Sequence, residues 1–270
     1  MISYANAKIN LGLQVTSKRE DGYHELETIF YPFPLYDIIE ISRGDADKTT
    51  MKITGMDLEL DENNLCYRAY NLLANTFELP PVHIHLHKQI PFGAGLGGGS
   101  SDAAAVLKML NDNFLLGLTA EELASFAATL GADCPFFVYG TTMYATGIGT
   151  KLTPLNLDLS SYYMVLLKPD VHVSTASAYA SIKPQPREFD IRELVSLPVQ
   201  DWKFYLRNDF EEGIFANHPQ IKRCKLAMYE HGALYASMSG SGSAVYGIFD
   251  RKVDLSVLAD LGKIYYPVIF

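Results

Sequence analysis

Residues 5–15 alternate strictly between apolar and polar positions. Ala5, Ala7, Ile9, Leu11, Leu13 and Val15 fall on one side; Asn6, Lys8, Asn10 and Gln14 fall on the other. A period of two predicts a half-buried β-strand. Asp21 and Gly22 signal a turn, and strands are predicted at 36–43 and 51–54. Over 63–77, Leu65, Ala69, Leu72, Leu73 and Phe77 recur at helical spacing, and Pro80 with Pro81 stops that helix. Val82, Ile84 and Leu86 alternate with His83, His85 and His87, which predicts another strand. An alanine-rich helix follows from Asp102. Thr119 with Glu122 three residues later forms a capping box for the next helix, and Gly131 is its C-cap. The segment 134–146 reads as strand and turn, 152–162 as a linker, and 162–168 as an apolar strand. Helical pieces broken by Pro184, Pro186 and Pro198 precede a helix at 219–231, a strand–glycine loop–strand at 233–249, and a last helix and short strand. Interleaved strands and helices place the chain in the α+β or α/β class.

Length and charge narrow the picture. At about 150 residues per domain, 270 residues correspond to roughly 1.8 domains. Hydrophobic residues make up 48% and charged residues 20%, the profile of a globular protein rather than a disordered or fibrous one. Lys and Arg number 22 against 31 Asp and Glu, a net charge of −9 that argues against a nucleic-acid polymer or an anionic membrane as partner. Cys66, Cys134 and Cys224 form no CxxC pair and suit a reducing compartment. The first ten residues lack the basic-then-apolar pattern of a secretory signal. The apolar window 123–140 is broken by Gly131, Asp133 and Pro135. The cytoplasm is the expected location.

Residues 93–99 hold five of the chain's 20 glycines, and Ser100, Ser101 and Asp102 follow. Such density means that the backbone takes up left-handed conformations or approaches something closely. A strand, a glycine loop and a helix N-terminus together form an anion site, with free N–H groups and the positive end of the helix dipole facing the ligand. A tight turn with a capped helix would need only one or two glycines. No lysine follows the glycines, so the Walker-type phosphate loop is excluded. Gly93, Gly95 and Gly98 match GxGxxG. A dinucleotide fold would also need a second parallel strand ending in an acid, whereas the pattern here continues into another helix.

The string PFGAGLGGGSSDAAA, over Pro91, Phe92, Gly93, Ala94, Gly95, Leu96, Gly97, Gly98, Gly99, Ser100, Ser101 and beyond, resembles the PxxxGLGxSS signature of the GHMP kinase superfamily. ANAKINLGL at 5–13 resembles that superfamily's first motif, and SMSGSGSAVYGIF at 237–249 its third. Within it, AKINLGLQV, REDGYHELETIF, QIPFGAGLGGGSSDAA and GADCPFFVYG resemble the branch acting on a cytidyl diphosphate sugar alcohol. Residues 184–230 carry little signature.

The resemblance implies a two-domain GHMP kinase fold of the α+β class. A ribosomal-S5-like nucleotide-binding domain would cover 1–155 and a ferredoxin-like C-terminal domain 156–270. It implies a small-molecule kinase that uses ATP and Mg²⁺. The expected acceptor is the 2-hydroxyl of 4-diphosphocytidyl-2-C-methyl-D-erythritol, a precursor in non-mevalonate isoprenoid synthesis. The monomer and the homodimer both stay open. Rival readings are another GHMP kinase, acting on mevalonate, phosphomevalonate or homoserine, or a nucleotide-dependent oxidoreductase.

Phosphoryl transfer to an alcohol needs an anchored triphosphate, a bridging cation, an activated hydroxyl and positive charge on the equatorial oxygens. Taken alone, Asp133 reads more readily as a turn or capping residue than as a catalytic one, and Lys8 reads as an ordinary exposed lysine or, with Asn6 and Asn10 flanking it on one face, better as part of a polar site. The resemblance gives both catalytic roles, Asp133 addressing the hydroxyl and Lys8 supplying charge. It assigns Tyr23 and His24 to the cytidine pocket, with Asn10, Tyr31, Thr175 and Tyr179 as further substrate contacts. Ser100 or Ser101 would help place Mg²⁺, and Lys88 would contact nucleotide. Cys134 reads as a packing residue. The three strand histidines could form a metal site, but no carboxylate or cysteine lies near them in sequence. They are expected to be the polar side of a strand, and no protein-bound metal is expected.

Overall fold

The computed structural model describes residues 1–44, 48–57, 63–187 and 189–268. Strands and helices interleave as expected, and the chain forms two compact units. The first comprises Met1–Ala7, Pro34–Phe92 and Gly97–Thr141; the second comprises Lys8–Phe33, Gly93–Leu96 and Thr142–Phe270. Two paired strands, β1 (Ile2–Lys18) and β2 (His24–Arg43), contribute chain to both. In β1 every residue from 7 to 13 is buried, so the side that alternation marks as polar is covered as well. The sequence pattern reveals only the second half of β2. Pro32 and Pro34 interrupt its middle, and each removes a ladder donor, which reads as a break.

In the first unit, β3 (Thr50–Thr54) pairs in parallel with β4 (Val82–His87). β4 pairs antiparallel with the end of β2, Ile41 opposite Ile84. Among the described residues the unit also holds the helices α1 (Leu65–Phe77), α2 (Gly98–Asn113), α3 (Ala120–Leu130) and α4 (Cys134–Tyr139). The Asn64 side chain caps α1 by accepting from the Cys66 N–H, and Ala69 and Leu73 on the helix's apolar stripe are buried. The capping box of α3 is present in both halves. The Glu122 N–H donates to Thr119 at 3.2 Å, and the Thr119 N–H donates to Glu122 at 2.8 Å. The segment 134–139 is a helix rather than the expected strand. Its apolar run is too short for periodicity to separate the two, and Pro135 sits in its first turn, where a missing N–H costs nothing.

In the second unit, the first half of β2 pairs antiparallel with β5 (Met143–Thr146), and β5 pairs with β6 (Lys151–Pro154). The expected linker at 152–162 therefore begins as a short strand. A separate antiparallel sheet has the order β10-β7-β9-β8. Its strands are β7 (Tyr163–Lys168), β8 (Tyr235–Met238), β9 (Val245–Phe249) and β10 (Lys263–Tyr265). Short helices α5 (Thr175–Ala180), α6 (Ile191–Leu194) and α7 (Trp202–Tyr205) precede α8 (Phe210–Asn217) and α9 (Pro219–Glu230). Phe210, Ile214, Ile221 and Met228 of the last two pack with Val165, Leu167 and Val245 of the sheet. Each such side chain withdrawn from water contributes about 1.5–3 kcal/mol. Among the described residues, no helix is long and apolar enough to cross a membrane.

Candidate active site

The glycine loop contributes to both units, and each part has its own support. In the second unit, Gly95 lies against the turn between β8 and β9. Its φ is +78°, and an added Cβ would collide with the Ser239 carbonyl. Both constraints demand glycine there. The Ser239 hydroxyl donates to the Gly95 carbonyl at 2.9 Å, and the Ala244 N–H donates to the Ala94 carbonyl at 3.2 Å. The Lys8 N–H donates to the Leu96 carbonyl at 3.0 Å. The first and third motifs of the sequence thus hold this stretch by its backbone.

In the first unit the loop ends at α2. Gly97 is the N-cap residue, left-handed at φ 69°, and no side chain caps the helix. The amides of the first turn have no intrahelical acceptor, so they can serve an anion. Pro91 is buried, whereas Phe92 is exposed. The Ser101 side chain is buried, and Ser100 hydrogen-bonds with the Cys134 thiol. Burial pushes that thiol up to about 11, which fits packing and not nucleophilic chemistry. α2 is followed by α3 and not by a parallel strand, so the GxGxxG match lacks the dinucleotide fold around it.

Lys8 is 3% exposed, not the surface lysine that the pattern alone allows. Its ammonium donates to Asn10 Oδ1 at 2.6 Å and lies 5.0 Å from the centre of the Phe30 ring. Asn10 Nδ2 donates in turn to Thr28 Oγ1 at 2.9 Å, and the Tyr246 hydroxyl donates to the Asn10 carbonyl at 2.8 Å. A Cβ at Gly240 would stand 3.2 Å from Asn10 Oδ1 and 3.5 Å from Lys8 Nζ. The glycine turn of the third motif therefore borders the lysine directly. Asn208 holds that turn, with Nδ2 donating to the carbonyls of Met238 at 2.9 Å and Gly240 at 2.8 Å. Sequence reasoning missed Asn208. It lies in the stretch without signature, and an asparagine between short helical pieces has no periodic mark.

His24 and Tyr179 come together in the second unit, their rings stacked with centroids 5.0 Å apart and 25° between planes. Thr175 Oγ1 accepts from the Ser241 hydroxyl at 3.4 Å. Tyr23 is 61% exposed beside the turn whose Asp21 accepts its N–H. The Tyr31 hydroxyl accepts from the Leu159 N–H at 3.2 Å, and burial raises its pKa. In the first unit, Asp133 immediately precedes α4 at φ −83°, and its side chain makes no capping hydrogen bond.

Lys88 departs from its expected role. It is buried, and its ammonium donates to Asp37 and, at 2.7 Å, to Asp102. Burial works against its charge, but the two carboxylates outweigh it and raise its pKa. Burial also raises the Asp102 carboxyl well above the ordinary carboxylate range, with Lys88 opposing and Asp37 adding. The strand histidines serve as the polar side of β4. His83 bonds Thr50 at 2.5 Å, while His85 and His87 share Thr54 at 2.9 and 3.0 Å. Among the described residues, no group of three His, Cys, Asp or Glu is placed to hold a metal ion.

Comparison with known proteins identifies the family. Residues 64–141 match the GHMP kinases N terminal domain, and residues 196–266 match the GHMP kinases C terminal family. A protein of Parabacteroides distasonis named 4-diphosphocytidyl-2-C-methyl-D-erythritol kinase is 51% identical over 252 residues, covering 93% of this chain and 92% of the relative. A crystal structure of 4-(cytidine 5'-diphospho)-2C-methyl-D-erythritol kinase matches with TM-score 0.84 at 33% identity, over 98% of each chain. A crystal structure of mevalonate kinase matches with TM-score 0.75 at 15% identity over 98% of each chain, a likeness of fold alone. The chain belongs to the GHMP kinase family and, within it, to the 4-diphosphocytidyl-2-C-methyl-D-erythritol kinases.

Proposed function

We propose that this chain transfers the γ-phosphoryl group of ATP to the 2-hydroxyl of 4-diphosphocytidyl-2-C-methyl-D-erythritol, in the cytoplasm, as a monomer or homodimer. The observation that carries the substrate is the near full-length identity with kinases named for it. In the transfer, the bond between Pγ and the β,γ-bridging oxygen breaks and a bond from the 2-oxygen to Pγ forms. ADP leaves, and the hydroxyl proton passes to the carboxylate of Asp133. The transition state is loose, so positioning and electrostatic stabilisation provide most of the acceleration.

The loop at 91–101 is suited to the phosphates. The uncapped start of α2 offers N–H groups to an anion. Lys8 supplies positive charge to the transferring group and Asn10 orients the lysine. Mg²⁺ requires few protein ligands when phosphate oxygens are present, and the hydroxyls of Ser100 and Ser101 suit it as hard oxygen donors. When bound, the ion neutralises phosphate charge, an expected strong dependence in a chain of net charge −9. His24 and Tyr179 present ring faces to cytosine, with Tyr23, Tyr31 and Thr175 as neighbouring contacts. In functional terms, residues 1–155 carry the nucleotide-binding part and 156–270 the C-terminal part.

An acceptor panel tests the reading. ADP formation coupled to a dehydrogenase assay should appear with the cytidyl diphosphate alcohol and Mg²⁺, and stay at background with mevalonate, phosphomevalonate and homoserine. Turnover of one of those three, with none of the cytidyl compound, contradicts the substrate.

A further inference from the structure

Asp37, Lys88 and Asp102 form a buried ionic cluster inside the first unit, with exposures of 0%, 5% and 2%. The contacts of Asp37, on β2, extend along the chain that leads into the glycine loop. Its Oδ1 accepts from the N–H groups of Gln89 at 2.5 Å and Ile90 at 2.9 Å. Its Oδ2 accepts from the Lys88 ammonium. The same ammonium donates to Asp102 Oδ2 at 2.7 Å, in the opening turns of the helix that leaves the loop. Gly98, the first residue of α2, packs on the same atoms. A Cβ there would lie 3.0 Å from Ile90 Cγ2 and 3.2 Å from Lys88 Nζ. Lys88 is also held by its backbone, its N–H donating to the Thr54 carbonyl at 2.8 Å.

Stability alone is a poor reason for this arrangement. Two carboxyls and one ammonium must lose their water together, and well-packed apolar residues of the same volume generally stabilise a core as well or better. Asp102 Oδ1 has no hydrogen-bond partner among the described residues, a further cost of burial. What the cluster does provide is directional bonding between two backbone segments separated by the loop.

We propose that Asp37, Lys88 and Asp102 are positioning residues that set the entry and exit of the nucleotide loop for ATP. Asp37 fixes the backbone at 89–90, and Lys88 links that hold to α2 through Asp102. The proposal rests on the reading of 91–101 as the ATP phosphate site. A displacement of about 1 Å in a reacting group lowers rates by up to roughly 100-fold, so a small shift of the loop is measurable.

The test is steady-state kinetics of the full chain with ATP and the cytidyl alcohol, per folded enzyme, on Lys88→Met, Asp102→Ala and Asp102→Asn. Lys88→Met should raise the KM for ATP at least ~10-fold while kcat at saturating ATP falls less than ~3-fold and the acceptor KM stays within ~2-fold. Asp102→Ala should show the same split more weakly. Asp102→Asn, which keeps an acceptor for Lys88, should recover an ATP KM near the wild-type value. If Lys88→Met does not fold, the alanine and asparagine pair at 102 decides. Variants that lose thermal stability but keep the wild-type ATP KM would overturn the cluster's role and leave the kinase reading standing. A wild-type chain that turns over no ATP with this acceptor would overturn both.

Discussion

Lys8 and Lys88 are both buried lysines, and their surroundings differ in kind. Around Lys88 stand two carboxyls, and its donors bind the protein to itself. The contacts of Lys8 include the Asn10 amide oxygen, the Phe30 ring and the glycine turn of the third motif. An ammonium held between two carboxyls has its field largely cancelled for any ligand. Sequence position does not separate the two, since each stands beside a motif glycine segment. The two carboxyls fit Lys88 to the shape of the loop, and Lys8 is the lysine we propose for the chemistry.

The largest expected effect lies on the chemical side. Lys8→Ala and Asp133→Ala should each lower kcat at least ~10-fold, within the roughly 10²–10⁴-fold range of acid–base groups, with ATP affinity nearly unchanged. Stopped-flow or coupled turnover together with ATP titration separates the two quantities. Wild-type turnover in both variants would remove the distinction between the lysines. Gly95→Ala is expected next. The left-handed backbone and the collision with Ser239 force the loop to shift, a strain of about 1–3 kcal/mol. The ATP KM should rise about 10-fold with a lower melting temperature; a silent substitution would mean the loop is not set by this contact.

The smallest effect concerns pH. Asp102 has a raised folded-state pKa against an ordinary value of 3.8, so its protonated form favours the fold. Its contribution is fully present below 3.8 and is lost as pH rises through the raised value. Asparagine resembles the protonated form. Asp102→Asn should therefore gain melting temperature over wild type as pH rises through that window, by about 2–4 °C for each 1 kcal/mol relieved, and the gain should level off in acid. Lys88, just after β4, Asp37 on β2 and Cys66 on α1 are titratable neighbours. A difference independent of pH would show that the carboxyl is not penalised by burial.

Much of this was legible in the chain. Alternation located β1 and β4, the capping box located α3, and glycine density located the loop, because each depends on local chemistry. The first half of β2 escaped because prolines mask a strand whose pairing is decided by distant partners. The helix at 134–139 escaped because a six-residue apolar run has no measurable period. The Lys88 cluster escaped for a deeper reason. Asp37 lies 51 residues from Lys88 in the chain, and no local spacing announces a contact made across a sheet. Asn208 escaped in the same way, 32 residues from the Gly240 turn it holds.

Phosphorus NMR tests the central claim most directly. Wild-type enzyme, ATP, Mg²⁺ and the cytidyl diphosphate alcohol should yield one new phosphomonoester resonance for each ADP formed, with the acceptor's diphosphate intact. Lys88→Met should give the same product when ATP is saturating, whereas Lys8→Ala should give little. ADP without the monoester, or a Lys8→Ala variant as productive as wild type, would contradict the division of labour between the two lysines and the transfer it serves.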